Sequence, residues 1–151
     1  MPELPEVESI RRVLKNSLIN QKLQKYKIFD QRINRFNSVN PRNLGVLLDI
    51  YRKGKILQFS FQCNSIFFHL GMSGTIKILS GKYKVFKHDH VKINIETEDN
   101  NFFTIVYNDP RRFGFFLFIK DKEININALE NFRNNVVTKA EIHDLEPHIK
   151  P

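Results

Sequence analysis

Between Leu23 and Ile119 the chain is cut into short runs rich in β-branched and aromatic residues, and this punctuation limits the fold more than any other feature. The runs are Leu23–Phe29, Val46–Tyr51, Ile56–Phe61, Ser65–Leu70, Thr75–Leu79, Val91–Glu96, Phe102–Asn108 and Phe113–Ile119, which predicts about eight strands. In VKINIE, Val91, Ile93 and Ile95 alternate with Lys92, Asn94 and Glu96, the period of a half-buried antiparallel strand, and residues 98–101 supply a turn before the next run. Eight such strands bury their apolar faces only by stacking, so a two-sheet antiparallel β-sandwich or barrel follows.

The first eighteen residues read differently. Pro5 suits the first helical position, where its missing N–H costs nothing, and Glu6 and Glu8 favour the positive end of a helix dipole. Val7, Ile10, Leu14 and Leu18 recur at spacings of three and four, which places them on one buried face, with Arg11, Arg12 and Lys15 elsewhere. A second short helix is expected over Ala128–Asn134. The fold class expected is therefore mainly β with flanking helices (α+β), a sandwich with an N-terminal helix. One domain is expected over residues 1–137, with a tail over 138–151.

A chain of 151 residues with 41% hydrophobic and 12% aromatic content can form a core, so a wholly disordered tail is excluded. The formal charge of +8 favours a polyanionic partner, nucleic acid first. That charge is discounted, because the richness in Lys, Asn, Ile and Phe resembles the bias of an AT-rich genome. One cysteine, Cys63, rules out a disulfide framework and any Cys-rich zinc site within these residues, so no metal is expected here. No run approaches the roughly 18 apolar residues of a membrane span, and the acidic start MPELPEVE is unlike a signal peptide. A cytoplasmic location is expected.

Four places carry candidate chemistry. Removal of Met1 exposes Pro2, a secondary amine; an α-amino group titrates near 7.7–8.0, so a useful fraction is a neutral nucleophile at cellular pH, although taken alone Pro2 reads first as a common second residue. Its adduct with a sugar aldehyde carbon is an iminium that cannot lose charge by N–H deprotonation. Glu3 beside that amine can move protons, and Glu6 lies one helical turn away; both also read as dipole partners, as does Glu8, for which a solvated helix end is the preferred reading. HLGMSG at 69–74 suggests a tight turn with Met72 at its tip, a wedge between bases or core filler, while His69 donates to a phosphate or satisfies a neighbouring carbonyl. NDPRRFG at 108–114 repeats that form: Arg111 suits a base edge or phosphate, Phe113 suits stacking or the core, and Asp109 suits capping the turn and pairing with an arginine. RKGK at 52–55 precedes a strand and gives Lys55 a fixed point from which to reach a phosphate, although such clusters usually form a solvated edge.

Taken in order, MPELPEVESIRR, RKGK, HLGMSG, KHDHV and YNDPRRFG closely resemble the N-terminal domain of bacterial formamidopyrimidine-DNA glycosylase, a bifunctional oxidised-purine repair enzyme. The resemblance runs from Met1 to about Ile119, with LEP at 145–147 a faint echo of a later family motif, and PELPEVE and HLGMSG favour this enzyme over its endonuclease VIII relatives. It implies Pro2 as the nucleophile at the sugar C1′ of a flipped-out nucleotide, Glu3 as acid/base and Glu6 as its support. Lys55 would lie near the lesion and its phosphates, and His69 on a phosphate. Met72, Arg111 and Phe113 would fill the gap in the duplex. The implied partner is double-stranded DNA with an oxidised purine or abasic site, in the bacterial cytosol. The family's helix–two-turn–helix and four-cysteine zinc finger have no counterpart in these residues, so no cofactor is expected. Two other readings follow from that absence: a non-catalytic DNA-binding remnant, or one half of a split glycosylase whose partner chain supplies the missing domain.

Overall fold

The computed structural model describes residues 4–30, 32, 43–81, 84–96, 101–111 and 114–120. Helix α1 (Leu4–Leu18) is followed by β1 (Lys22–Ile28), β2 (Gly45–Val46), β3 (Asp49–Lys53), β4 (Ile56–Ser60), β5 (Asn64–His69), β6 (Thr75–Ser80), β7 (Asp89–Glu96), β8 (Phe102–Asn108) and β9 (Phe115–Lys120). One antiparallel sheet runs β2-β1-β7-β8-β6 and the other β3-β4-β5-β9. The expected second helix, the tail and the turn at 98–101 lie outside the described residues, apart from Asn101.

The core forms where the two sheets and the helix face one another. Val91, Ile93 and Ile95 are buried while Lys92 and Asn94 are only partly so, as the alternation requires. They join Leu23, Tyr26, Ile105 and Tyr107 from their own sheet, Leu57, Phe59, Phe68 and Phe116 from the other, and Val7, Leu14 and Leu18 from α1. Tyr26 meets Phe116 edge to face at 4.7 Å, and Phe68 lies 5.4 Å from Phe59, Tyr107 and Phe116 alike, so aromatic edges and faces fill the space between sheets.

The run Val46–Tyr51 is two strands in different sheets, where the sequence predicted one. Leu47 is buried and exchanges backbone bonds with the β1 side, its N–H donating to Gln21 O and its carbonyl accepting from Asn20 N, both at 2.9 Å. Leu48 is half exposed and donates to Ser60 O at 2.8 Å, beside β4. The chain changes sheets between these two leucines. Both sheets accept apolar β-forming residues equally well, so the pattern of side chains does not mark the crossing.

Glu8 also departs from expectation. Its carboxylate accepts from Arg11 Nε and Nη2 at 2.8 and 2.7 Å, Arg12 Nε at 3.0 Å and Arg52 Nε at 2.9 Å. Arg11 reaches on to Ile50 O, and Arg52 to Gly54 O. The residue thus ties α1 to β3, beside the ion pair of Lys15 with Asp49 at 3.0 Å. The bonds from Arg11, reinforced by Arg52 and Arg12 against the opposing effect of partial burial, hold its carboxyl at about 2, well below the usual carboxylate range. A carboxylate depressed in the folded state stabilises the fold at every pH above its ordinary value of 4.5, and that contribution is lost as pH falls towards 2. Glu8→Gln is expected to cost about 1–2 kcal/mol at pH 7 and to flatten the stability curve between pH ~4.5 and ~2, read from urea midpoints across that range. Equal acid sensitivity in the variant and the parent chain would reject this assignment.

Candidate functional site

Two strand pairings bring the glycine-bearing motifs together. β5 and β9 are neighbours in one sheet, and β6 and β8 are neighbours in the other. The chain passes from β5 to β6 through HLGMSG and from β8 to β9 through NDPRRFG. Both motifs are therefore crossovers between sheets, and they run side by side. Register puts their roots in line: His69 lies opposite Phe115 and Ile56 in one sheet, and Asn108 lies opposite Thr75 and Asp89 in the other.

The first crossover turns sharply. Gly71 sits at φ +59°, in the left-handed region, and Gly74 N–H donates to Leu70 O at 2.7 Å. A Cβ on Gly74 would lie 2.9 Å from Leu70 Cα, so only glycine fits against that backbone. His69 is 4% exposed, stacks on Phe115 at 5.3 Å, and accepts the Gly71 N–H on Nδ1 at 2.9 Å. In the neutral ring that bond leaves the proton on Nε2. Met72 is partly exposed and stands outside the core cluster, so core filler is not its place.

The second crossover is built on Asp109. Its carboxylate is fully buried and accepts from Ser73 Oγ of the first crossover, from Tyr107 Oη at 3.0 Å and from Gly114 N at 2.9 Å. The same tyrosine hydroxyl lies 3.0 Å from His69 O. Asp109 N–H donates to His88 O at 3.0 Å, and its carbonyl meets His90 Nε2 at 2.7 Å. His90 is buried in turn, with Nδ1 3.7 Å from Asp30, whose carboxyl is pushed up by partial burial but brought below its ordinary range by the bonds from Arg32. Asp109 caps the turn as expected, but the bonds recorded for its carboxylate come from a serine, a tyrosine and a glycine instead of an arginine. Arg111 is exposed beyond it, anchored through its N–H to Ser73 Oγ at 3.1 Å.

At the same end lies the β3–β4 turn. Lys55 O accepts from Leu70 N at 2.9 Å, continuing the β4–β5 ladder, so the partly buried Lys55 stands beside the root of the first crossover. RKGK is no solvated edge: Lys53 is 2% exposed and Arg52 is held by Glu8. Through that bond the first turns of α1 reach this end as well. Glu6 is exposed on that helix. Lys55, His69, Met72 and Arg111 are thus gathered at one end, whereas Pro2, Glu3 and Phe113 lie outside the described residues.

Sequence reasoning did not find Ser73, Tyr107 and His90 as partners of Asp109. The available signals were a serine between two glycines and a Tyr-Asn-Asp run entering a turn. Cys63 is the single cysteine and is exposed between β4 and β5, and no group of three or more His, Cys, Asp or Glu able to hold a metal occurs among the described residues. A four-cysteine zinc site has no ligand set in these residues.

Comparison with known proteins agrees with this arrangement. Residues 1–116 match the family model described as "Formamidopyrimidine-DNA glycosylase N-terminal domain". Formamidopyrimidine-DNA glycosylase of Vesicomyosocius okutanii is 37% identical over 127 residues, 80% of this chain and 45% of that protein. The Vibrio vulnificus protein of the same name is 38% identical, with 93% and 51% covered. The chain spans about half the length of these relatives. Among solved structures, the complex of Lactococcus lactis Fpg with DNA containing an abasic site aligns at TM-score 0.63 and 25% identity, over 80% of this chain and 45% of that one. MutM with DNA containing carbocyclic 8-oxo-G aligns at 0.64 and 26%, over 81% and 46%. Matched by the family model along more than two thirds of its length, the chain belongs to the formamidopyrimidine-DNA glycosylase N-terminal domain family.

Proposed function

We propose that this chain is the catalytic half of a bacterial DNA glycosylase and abasic-site lyase acting on oxidised purines in duplex DNA, in the cytosol. The observation that carries the reading is the joining of the two crossovers through Ser73 and Asp109 at the end that also holds Lys55 and His69. It presents one semi-flexible apolar tip, Met72, and one exposed guanidinium, Arg111, from a common base. An everted base leaves an unstacked gap costing a few kcal/mol, and such side chains offset part of it. Phe113 is proposed as a third filler, and Lys55 and His69 as contacts to phosphates near the lesion.

In the proposed chemistry the Pro2 nitrogen attacks C1′, a C–N bond forms, and the glycosidic bond breaks with its electron pair leaving on the base. The nitrogen gives up its proton, the C1′–O4′ bond then breaks with its electron pair going to O4′, Glu3 supplies the proton taken up there, and Glu6 supports that site. The resulting iminium takes up the electrons released when the C2′ proton is removed, which expels the 3′ phosphate; a second elimination expels the 5′ phosphate. The enzyme's names in its relatives and the lesion-bearing DNA in the neighbouring structures support this reading. No helix among the described residues is long and apolar enough to cross a membrane.

The test is borohydride trapping on duplex DNA carrying 8-oxoguanine or an abasic site, at low salt, with removal of Met1 checked by mass. A covalent adduct is expected. Protein with a free Pro2 that yields none overturns the proposal. Two further readings stand beside it, a non-catalytic DNA-binding module and one half of a split glycosylase, because the match covers only about half of each relative. The module binds with steep salt dependence and never forms the adduct. A split half forms it at physiological salt only when a chain carrying the relatives' remaining half is added.

A further inference from the structure

We propose that Asp109 is a positioning residue that locks the two crossovers into one body, so that Met72 and Arg111 meet DNA as a preset pair. This rests on the reading of those two side chains as duplex-filling groups. Three donors from three places converge on one carboxylate with no exposed surface: Ser73 Oγ, Tyr107 Oη and Gly114 N. The backbone of the same residue is held at both ends, by His88 O and His90 Nε2. Ser73 Oγ passes the constraint back by accepting from Arg111 N–H. The residue after Met72 is therefore bonded to the backbone of Arg111 directly and, through Asp109, to the start of β9.

A buried carboxylate is costly to desolvate, and apolar packing usually serves stability as well. What the carboxylate adds here is direction, since its two oxygens collect donors from both crossovers at fixed angles. Tips that were independent would each have to be ordered on binding, whereas tips sharing one buried anchor arrive ordered. The shape of the acceptor, more than its charge, does this. In Asp109→Asn the amide oxygen can still accept from Gly114 and Tyr107, and the amide NH2 can donate to Ser73 Oγ.

The test uses the full chain without DNA first. The two methionines make the methyl spectrum simple, and Met72→Leu assigns its signal. In Asp109→Ala the Met72 methyl resonance is expected to move, and amide exchange at Arg111 and Gly114 to rise by about tenfold or more, with Ile93 and Ile105 unaffected. Ser73→Ala, a milder change at a partly exposed position, is expected to shift Met72 and Arg111 in the same direction, and Asp109→Asn to stay within about threefold of the parent. On duplex DNA with an abasic analogue facing 2-aminopurine, Asp109→Ala is expected to lose the fluorescence change of side-chain insertion by about tenfold, while Asp109→Asn keeps it. If folded Asp109→Ala and Ser73→Ala leave the Met72 and Arg111 signals unchanged, the coupling is overturned; should Asp109→Ala fail to fold, Ser73→Ala decides. A parent chain that shows the coupling but no insertion signal instead overturns the duplex-filling reading, and with it the purpose assigned to Asp109.

Discussion

Gly114→Ala is expected to destabilise the protein by about 3 kcal/mol and to lower the unfolding midpoint by roughly 10 °C. A Cβ at this position would overlap both His69 O and Tyr107 Oη. Neither neighbour is the loose end of a flexible side chain. His69 O belongs to the β5 backbone, and Tyr107 Oη is held between that carbonyl and Asp109. Relief therefore requires β9 to draw back from β5, or Asp109 to give up donors, and each route breaks buried hydrogen bonds. Gly81 is the useful contrast: its φ is +78° but a Cβ there meets nothing within 4 Å, so Gly81→Ala costs only the strain of a left-handed alanine, about 1 kcal/mol. Thermal midpoints of the two variants, measured side by side, decide the matter. Equal losses would mean that the close approach at Gly114 carries no weight.

Pro2→Gly is expected to lower borohydride-trapped adduct on abasic duplex DNA by about 100-fold, with DNA affinity at low salt unchanged within about twofold. The glycine variant keeps an α-amine of similar basicity, so loss of nucleophile is not the cause. Its adduct is a secondary iminium that sheds an N–H proton to become a neutral imine, a far weaker electron sink. Chemical acetylation of the parent's amino terminus should abolish the adduct altogether. An adduct of undiminished yield in Pro2→Gly would remove the special role given to the secondary amine, and one that also survives a blocked amino terminus would move the chemistry to another amine, with the partly buried Lys55 the first to examine.

The elements legible in the sequence are those whose signal is local. Val91, Ile93 and Ile95 declare their strand within six residues, and Val7, Leu14 and Leu18 declare the helix within four turns. What stayed hidden depends on partners far along the chain. Glu8 looked like a helix-end acid because Arg52 lies 44 positions away. Asp109 looked able to pair with a neighbouring arginine because Ser73, the donor that joins the crossovers, is 36 positions earlier. The change of sheet at Leu47 and Leu48 is a matter of backbone hydrogen bonds, which leave no mark on side-chain pattern. Lys55, His69, Met72 and Arg111 were recognised as motif members, but their common location follows from strand order and register.

The turn between β4 and β5 lies at the far end of those strands from the gathered motifs, and it holds the exposed Cys63. Five residue steps at about 3.3 Å each, from Ile56 to Phe61, separate that turn from the Ile56 and His69 row, roughly 16 Å. Since no other thiol occurs in the chain, a maleimide dye attaches at one known place without touching Lys55, His69, Met72 or Arg111. The molecule thus comes with its own handle for single-site labelling, and the proposed engagement of DNA can be followed by energy transfer from a position away from Lys55, His69, Met72 and Arg111.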